Sequence, residues 1–328
     1  MAHLTQSDFA HYYATSLLKE LKKLEQVRES VLAKVKTLIA ITAGAFMLSV
    51  AMDQALELNW MLATISAMVC MAAGSFFYKF LTRGYVCQFK LKVISKIIEF
   101  IDPQLTYWAD EHISQMQFHS SRIFEKYPDR LRGDDLVKGT IGLTNVEFSE
   151  VRAEYKTETT DSSGRRQRRY STIFKGLFFI ADFNKKFYGK TVVLPDMAER
   201  LLGGIGGFLQ SLNRSRGELV KLENPEFEKY FVVYGDDQIE SRYVLSTSLI
   251  QRILDFRKKT GKRVYLSFVG SQVFVAIPYR RGLFEPRVFT SIKGFKSVRE
   301  YFDDLQLALG IVDDLNLNTR IWATPAVT

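Results

Sequence analysis

"TLIAITAGAFMLSVAM", residues 37–52, and "WMLATISAMVCMAAGSFFY", residues 60–78, contain no charged side chain. As helices they reach roughly 24 and 28 Å, close to a hydrocarbon core of about 30 Å. Lys34, Lys36 and Lys79 stand where their long side chains snorkel to the interface. The connecting "DQALELN" carries Asp53 and Glu57 and no base. Outside the runs lie Lys19, Lys22, Lys23, Arg28, Lys34 and Lys36 on one flank, and Lys79, Arg83, Lys90, Lys92 and Lys96 on the other. The positive-inside rule then predicts a two-pass hairpin with both chain ends in the cytoplasm. Trp60, Tyr78 and Tyr85 suit the interface, and Ala43, Gly44, Ala72, Ala73 and Gly74 allow close helix approach. The alternative is a buried helical hairpin in a soluble protein, which would cover the same side chains.

The chain has 328 residues, is 47% hydrophobic and carries a net charge of +9. That is enough apolar content for a real core, which excludes global disorder, and enough positive charge to favour anionic neighbours. Cys70 and Cys87 are the only cysteines, so neither a disulfide framework nor a four-cysteine zinc site can form. Residues 1–36 are too polar for the core of a signal peptide, and the N-terminal segment is expected to be retained.

Upstream of the first run, Leu17, Leu21, Leu24, Val27, Val31 and Val35 follow the seam spacing of a coiled coil; downstream of the second, Val86, Phe89, Val93, Ile97 and Phe100 do the same. These stripes predict a helical stalk, packed within one chain or between copies. A third helical stretch is expected around Asp110 to Lys126, ending at "YPDRLRGDD". From about residue 140 the period becomes that of strands. "TNVEFSEVRAEYKTE" changes parity near Ser149 and Glu150, which predicts a bulge there. "YSTIFKGLFFIADFN" is apolar on both parities, as in a strand covered on two faces, and "TTDSSGRRQRRYS" is the expected hairpin tip. The remaining pattern predicts strands at "GKTVVLP", "ELVKLE" and "KYFVVYG", a helix at 247–259, the hairpin "KRVYLSFVGSQVFVAIPY" and a helix at 298–313. The fold class is therefore α+β: a transmembrane hairpin and helical cytoplasmic stalk, then a mixed β-sheet domain with packed helices. The expected divisions are a cytoplasmic amphipathic helix (1–36), the hairpin (37–79), the stalk and linker (80–139) and a cytoplasmic α+β domain (140–328).

The segments "FKGLFFIADFNKKFYGKTVVLPD", "VKLENPEFEKYFVVYGDDQIESRYVLS" and "LFEPRVF", in that order over roughly 140–315, resemble the bacterial domain of unknown function family 3137. The resemblance implies a pair of N-terminal membrane spans, a location in the bacterial inner membrane and neighbours of the LemA type. It supplies no catalytic, cofactor-binding or metal-binding residue.

From residue 140 onward there is no histidine, since His3, His11, His112 and His119 all precede it. A neutral-pH histidine base or histidine metal site is therefore not expected there. Asp236, Asp237 and Glu240, and the pairs Asp303/Asp304 and Asp313/Asp314, lack the spacing of a calcium loop and read as solvated turns and helix faces. No cofactor is implied. Arg165, Arg166, Arg168 and Arg169 are the densest charge in the chain and suit contact with anionic lipid or an acidic partner. Nucleic acid fits less well, because Tyr170 is the lone aromatic bordering the run. In "LLGGIGGFLQSLNRSRG", residues 201–217, Leu201, Leu202, Ile205, Phe208, Leu209 and Leu212 share one helical face and the glycines the other. No phosphate-loop spacing is matched, so this face is expected to lean on its own domain, a partner or the bilayer. The function expected is a two-pass inner-membrane protein with a non-enzymatic interaction or assembly domain, partnered by a second copy or a membrane protein. The alternatives are a sensor or remodeler of anionic lipid surfaces and, more remotely, an enzyme with a carboxylate site.

Overall fold

The computed structural model describes residues 5–57, 60–160, 166–183, 186, 188–196, 216–279 and 281–318. The chain divides into a helical unit, residues 2–97 with 284–302, and a sheet unit, residues 98–283 with the chain from Asp303.

In the helical unit, α1 (Gln6–Tyr12) starts at a capping box in which Thr5 and Asp8 satisfy each other's backbone amides. A π-helical turn leads into α2 (Leu18–Ala55). After the connection, α3 (Met61–Phe89) runs through a second π turn into α4 (Ser95–Ile101), whose residues from Ile98 are counted with the sheet unit. Both long helices are long and apolar enough to cross a membrane, and only 6% of each apolar window is buried. Ile41, Met47, Leu48, Met68, Met71 and Phe76 all face outward. A core hairpin in a soluble protein would cover these side chains instead.

Asp53, expected in an exposed turn, lies in the last turn of α2 and is buried. Its carboxylate accepts from the Leu62 and Ala63 amides at 3.4 and 3.0 Å, capping α3 with the charge its N-terminus favours. The helices meet through Ser49 with Ser66 and through Thr42 beside Gly74. Ala43, Gly44 and Ala72 face outward, so the close approach uses Gly74 and not Gly44.

The helical unit is closed by chain from far downstream. Arg28 grips Glu25 through two nitrogens at 2.9 and 3.1 Å, and its third donates to the Val288 carbonyl at 2.7 Å. Glu25 in turn accepts from the Ile292 amide at 3.1 Å. Both side chains are buried, 4% exposed for Glu25 and 7% for Arg28. Burial disfavours the Glu25 carboxylate, but hydrogen bonds from Arg28, Ser291 and Ile292 outweigh it and hold the pKa below the ordinary value. Phe9 stacks on Phe302 with centroids 4.1 Å apart, Phe89 meets Tyr301 at 5.2 Å, and Lys90 pairs with Glu285 at 3.4 Å.

The sheet unit holds β1 (Thr106–Trp108), α5 (Gln115–Ser120), β2 (Arg130–Ile141), β3 (Thr144–Thr160), β4 (Arg166–Asp182), β5 (Lys190–Pro195) and β6 (Glu218–Val220). It continues with α6 (Pro225–Glu228), β7 (Phe231–Gly235), α7 (Gln238–Val244), α8 (Thr247–Thr260), β8 (Tyr265–Val269) and β9 (Gln272–Pro278). The last helix, α9 (Phe295–Asp314), begins in the helical unit and enters the sheet unit at Asp303. The nine strands lie in the order β1-β2-β3-β4-β9-β8-β5-β7-β6. Every pair is antiparallel, where a mixed sheet was expected. The α+β class stands.

Three local expectations change. The stretch 110–126 holds only the short α5, because Ile113, Phe118 and Ile123 recur every five residues and all enter the sheet core. "YPDRLRGDD" does not end the pattern but begins β2, whose alternating charges masked it. The bulge sits in β2, where Asp135 and Leu136 together stand opposite Ser149, one residue extra, between the pairs Asp134↔Glu150 and Val137↔Phe148. β3 stays in register with β4 there and changes parity because both of its faces are covered, Val146 and Phe148 on one and Val151 and Ala153 on the other.

Replacing Arg28 with Met strands the Glu25 carboxylate in the interior, and the expected loss is about 3–5 kcal/mol of unfolding free energy. Glu25→Gln combined with Arg28→Met loses less than Arg28→Met alone, as measured by thermal unfolding of the full chain in a neutral detergent. Because the Glu25 pKa is depressed on folding, its contribution is complete above the unfolded value, 4.5. It falls away as pH drops through the folded value. Wild type therefore loses stability below about pH 4.5 more steeply than Glu25→Gln, a difference read from melting temperatures across an acid titration.

Candidate functional site

β3 and β4 are the longest strands, and they outrun their neighbours. Pairing with β2 stops at Arg130↔Glu154, and pairing with β9 begins only at Gly176↔Pro278. Between those points and the turn, Tyr155–Thr160 and Arg166–Ser171 pair only with each other. The result is a two-stranded ribbon. Arg166, Arg168 and Arg169 are strand residues of this ribbon and not members of a tip loop, and all three are exposed. Arg165 lies outside the described residues. Strand alternation puts Arg166, Arg168 and Tyr170 on one face with Lys156 and Glu158, and Arg169 on the other.

Glu158 binds Lys156 at 2.6 Å and Arg168 at 3.2 Å, and these bases, Lys156 first, hold its carboxyl below the usual range. Arg166 and Arg169 form no ion pair among the described residues. Lys126 sits 3.7 Å from the Tyr155 ring and lowers that hydroxyl's pKa, while Arg130 covers Tyr170 at 4.1 Å. Asp129 accepts from the Lys156 amide at 2.7 Å. The segment 126–130 therefore lies along β3, with Arg130 reaching across the ribbon face to Tyr170, and pairs with no residue of the outer edge of β4.

The acidic residues have structural employment. Asp237 caps α7 by accepting from the Glu240 amide at 2.7 Å. Glu240 accepts from the Tyr188 and Gly189 amides at 2.8 and 2.9 Å, and Asp236 takes the Lys190 amide and ammonium. Asp314 binds Lys259 at 2.8 Å. A carboxylate group that sequence reasoning missed is created by the β2 bulge, which brings Asp134, Asp135 and Glu150 within 4.8 Å of one another. Its chemistry is that of hard oxygen ligands. Two of its members are also fixed by the fold: the Tyr107 hydroxyl donates to Asp135, and the Leu283 amide to Glu150 at 2.7 Å. Asp135 has φ +62°, so the backbone conformation that gathers these acids is itself unusual. No spacing rule would have found the group, because it depends on the bulge.

The sheet unit does contain histidine, since it starts well before residue 140. His112 bonds the Ile113 carbonyl through Nδ1 at 2.7 Å, and His119 packs edge-on to Tyr127. Neither joins a carboxylate set among the described residues. The apolar face Leu201, Leu202, Ile205, Phe208, Leu209 and Leu212 lies outside the described residues. Of the stalk positions, Leu17, Leu21, Leu24, Val31, Val35, Phe89, Val93 and Ile97 are all buried. Val27, Val86 and Phe100 are half-buried.

Residues 172–317 match the family described as "Protein of unknown function (DUF3137)". The match starts at Thr172, so the long helices and the arginines of the ribbon fall outside it. No curated protein matches the chain. Among solved structures the chain is similar to the mycobacterial trehalose monomycolate transport factor A, TtfA, with 9% identity, a TM-score of 0.34, and coverage of 65% of this chain and 94% of that one. That likeness is too distant to carry an argument. From the inner half of β4 to just beyond α9, this chain thus matches the family model of the DUF3137 proteins of unknown function.

Proposed function

We propose that this chain is a two-pass bacterial inner-membrane protein, with both ends cytoplasmic, whose sheet unit is a non-enzymatic module for protein interaction or assembly. The observation that carries the reading is the basic ribbon. A fold that spends two strands beyond its own sheet, and places Arg166, Arg168 and Arg169 there in the open, holds a surface its core does not use. The two uncovered apolar helices support the membrane location, and the basic residues flanking them support the orientation. The engagement of Asp236, Asp237 and Glu240 in capping and backbone contacts supports the non-enzymatic part. The classes of partner are a second copy or a membrane protein, LemA-type proteins included. An anionic lipid surface is the second reading, because arginines attract phosphate at about 1 kcal/mol per basic residue near the surface.

Alkaline carbonate extraction of native membranes should leave the chain in the pellet, and release into the supernatant would contradict the membrane location. Affinity capture from the same membranes is expected to recover a partner with wild type and to lose it when Arg166, Arg168 and Arg169 are changed to Ser. Equal recovery with both would remove the ribbon from the interaction surface.

A further inference from the structure

The outer edge of β4 is an open strand edge of unusual length. From Arg166 to Phe174 no described residue pairs with it on that side; the Tyr279 amide, donating to the Lys175 carbonyl at 3.2 Å, marks where the sheet resumes. In an antiparallel pair every second residue turns its N–H and C=O away from its partner. From Arg166 to Thr172, before the bulge at Ile173, the free side of β4 therefore presents a row of donors and acceptors at roughly 7 Å intervals that no described residue pairs with. Residues 166–170 and Thr172 are exposed, so nothing described covers this row. The β3 side of the same ribbon differs: Asp129 and Lys126 attend to it, while Arg130 reaches the ring of Tyr170 on β4 without pairing with its backbone edge.

An open edge normally invites aggregation, and charged side chains are the usual defence. Here the defence has a single sign. Between residues 155 and 175 the sequence has six basic and two acidic residues, and Glu158 is already shared by Lys156 and Arg168. A second copy approaching edge to edge would set arginine against arginine, which is unfavourable for directly opposed residues. An acidic strand meets the opposite situation, because backbone pairing and charge then act together.

We propose that the β4 edge, Arg166–Thr172, receives an extended acidic segment of a partner protein as an added strand, its carboxylates at alternate positions meeting Arg166 and Arg168. This rests on the reading of the ribbon as an interaction surface and goes further, in assigning the partner's chemistry and its backbone geometry. Hydrogen bonds from the edge supply affinity, and the arginines select for acidic sequence.

The test uses the full chain in neutral detergent micelles and two fluorescent probes. One is a peptide of four Glu-Val repeats, and the other a peptoid with the same side chains, which keeps the charge and has no backbone N–H. The peptide is expected to bind with saturating anisotropy and to slow hydrogen exchange at 166–172 at least tenfold. The peptoid should bind at least tenfold more weakly. Arg166→Ser, Arg168→Ser and Arg169→Ser together should weaken the peptide at least tenfold, and Thr172→Pro should abolish protection while leaving all three charges. Equal binding of peptide and peptoid, without protection, would overturn strand addition while leaving the ribbon as a charged contact surface. Peptide binding unaltered by the three serines would overturn both readings. Protection of 166–172 by phosphatidylglycerol vesicles but not by the peptide would assign the edge to lipid, and concentration-dependent protection without any probe would assign it to a second copy. Either result overturns the proposal.

Discussion

The grip of Arg28 and Glu25 on the backbone at Val288 and Ile292 is the interaction on which the helical unit depends. It joins positions 260 and 267 residues apart, so the helical unit is complete only when the chain has returned from the sheet. Two buried charges would cost several kcal/mol each if left alone. Here each is met by the other and by a main-chain group, and Glu25 by Ser291 as well. The specificity lies in the main-chain contacts, because a carbonyl and an amide four residues apart define the path of the returning segment as apolar packing alone would not. Phe9 on Phe302 and Phe89 on Tyr301 then fill the same junction with aromatic area. The Tyr85 hydroxyl is buried in this unit with no hydrogen-bond partner among the described residues, and burial pushes its pKa up.

The clamp also changes the meaning of the basic flanks. Arg28 and Lys90 count as juxtamembrane charges in sequence, yet Arg28 is neutralised by Glu25 and Lys90 is paired with Glu285. Lys19, Lys22, Lys23, Lys34 and Lys36 on one side, and Lys79, Arg83, Lys92 and Lys96 on the other, keep the asymmetry without them. The excess of lysine and arginine on both flanks does not rest on Arg28 and Lys90, so their use in ion pairs does not reverse its sign.

Legibility in the sequence followed periodicity. The long helices, β4, the β8–β9 hairpin with Gly270 at φ +63°, and α8 ending at Gly261 all show a local pattern strong enough to read. What escaped depended on distant residues. Glu25 and Arg28, three residues apart, look like any solvated helix pair, and only residues 288–292 make them buried. β2 was hidden because Arg130, Arg132, Asp134 and Asp135 interrupt its apolar positions, and the carboxylates it gathers come together through a bulge that no spacing announces. The arginines were visible as a cluster, but their place was not. A run rich in arginine, serine and glycine suggests a turn, whereas β3 carries complementary threonines far enough to hold Arg166 and its neighbours as strand.

That placement alters what the arginines can do. In a loop, four guanidinium groups are a mobile cloud of charge, indifferent to the shape of whatever neutralises them. On a strand, Arg166 and Arg168 are separated by one repeat of the pleat, about 7 Å, and fixed to one face. A lipid surface has no such period and gains little from it. An extended chain has the same period by construction, with side chains of one face spaced as the arginines are. The open hydrogen-bonding row beside them is oriented in the plane of the sheet, where a bilayer has no donors or acceptors to offer. Regular spacing and unspent backbone groups thus favour a polypeptide over a membrane as the ligand of this edge, although the charge alone would serve both.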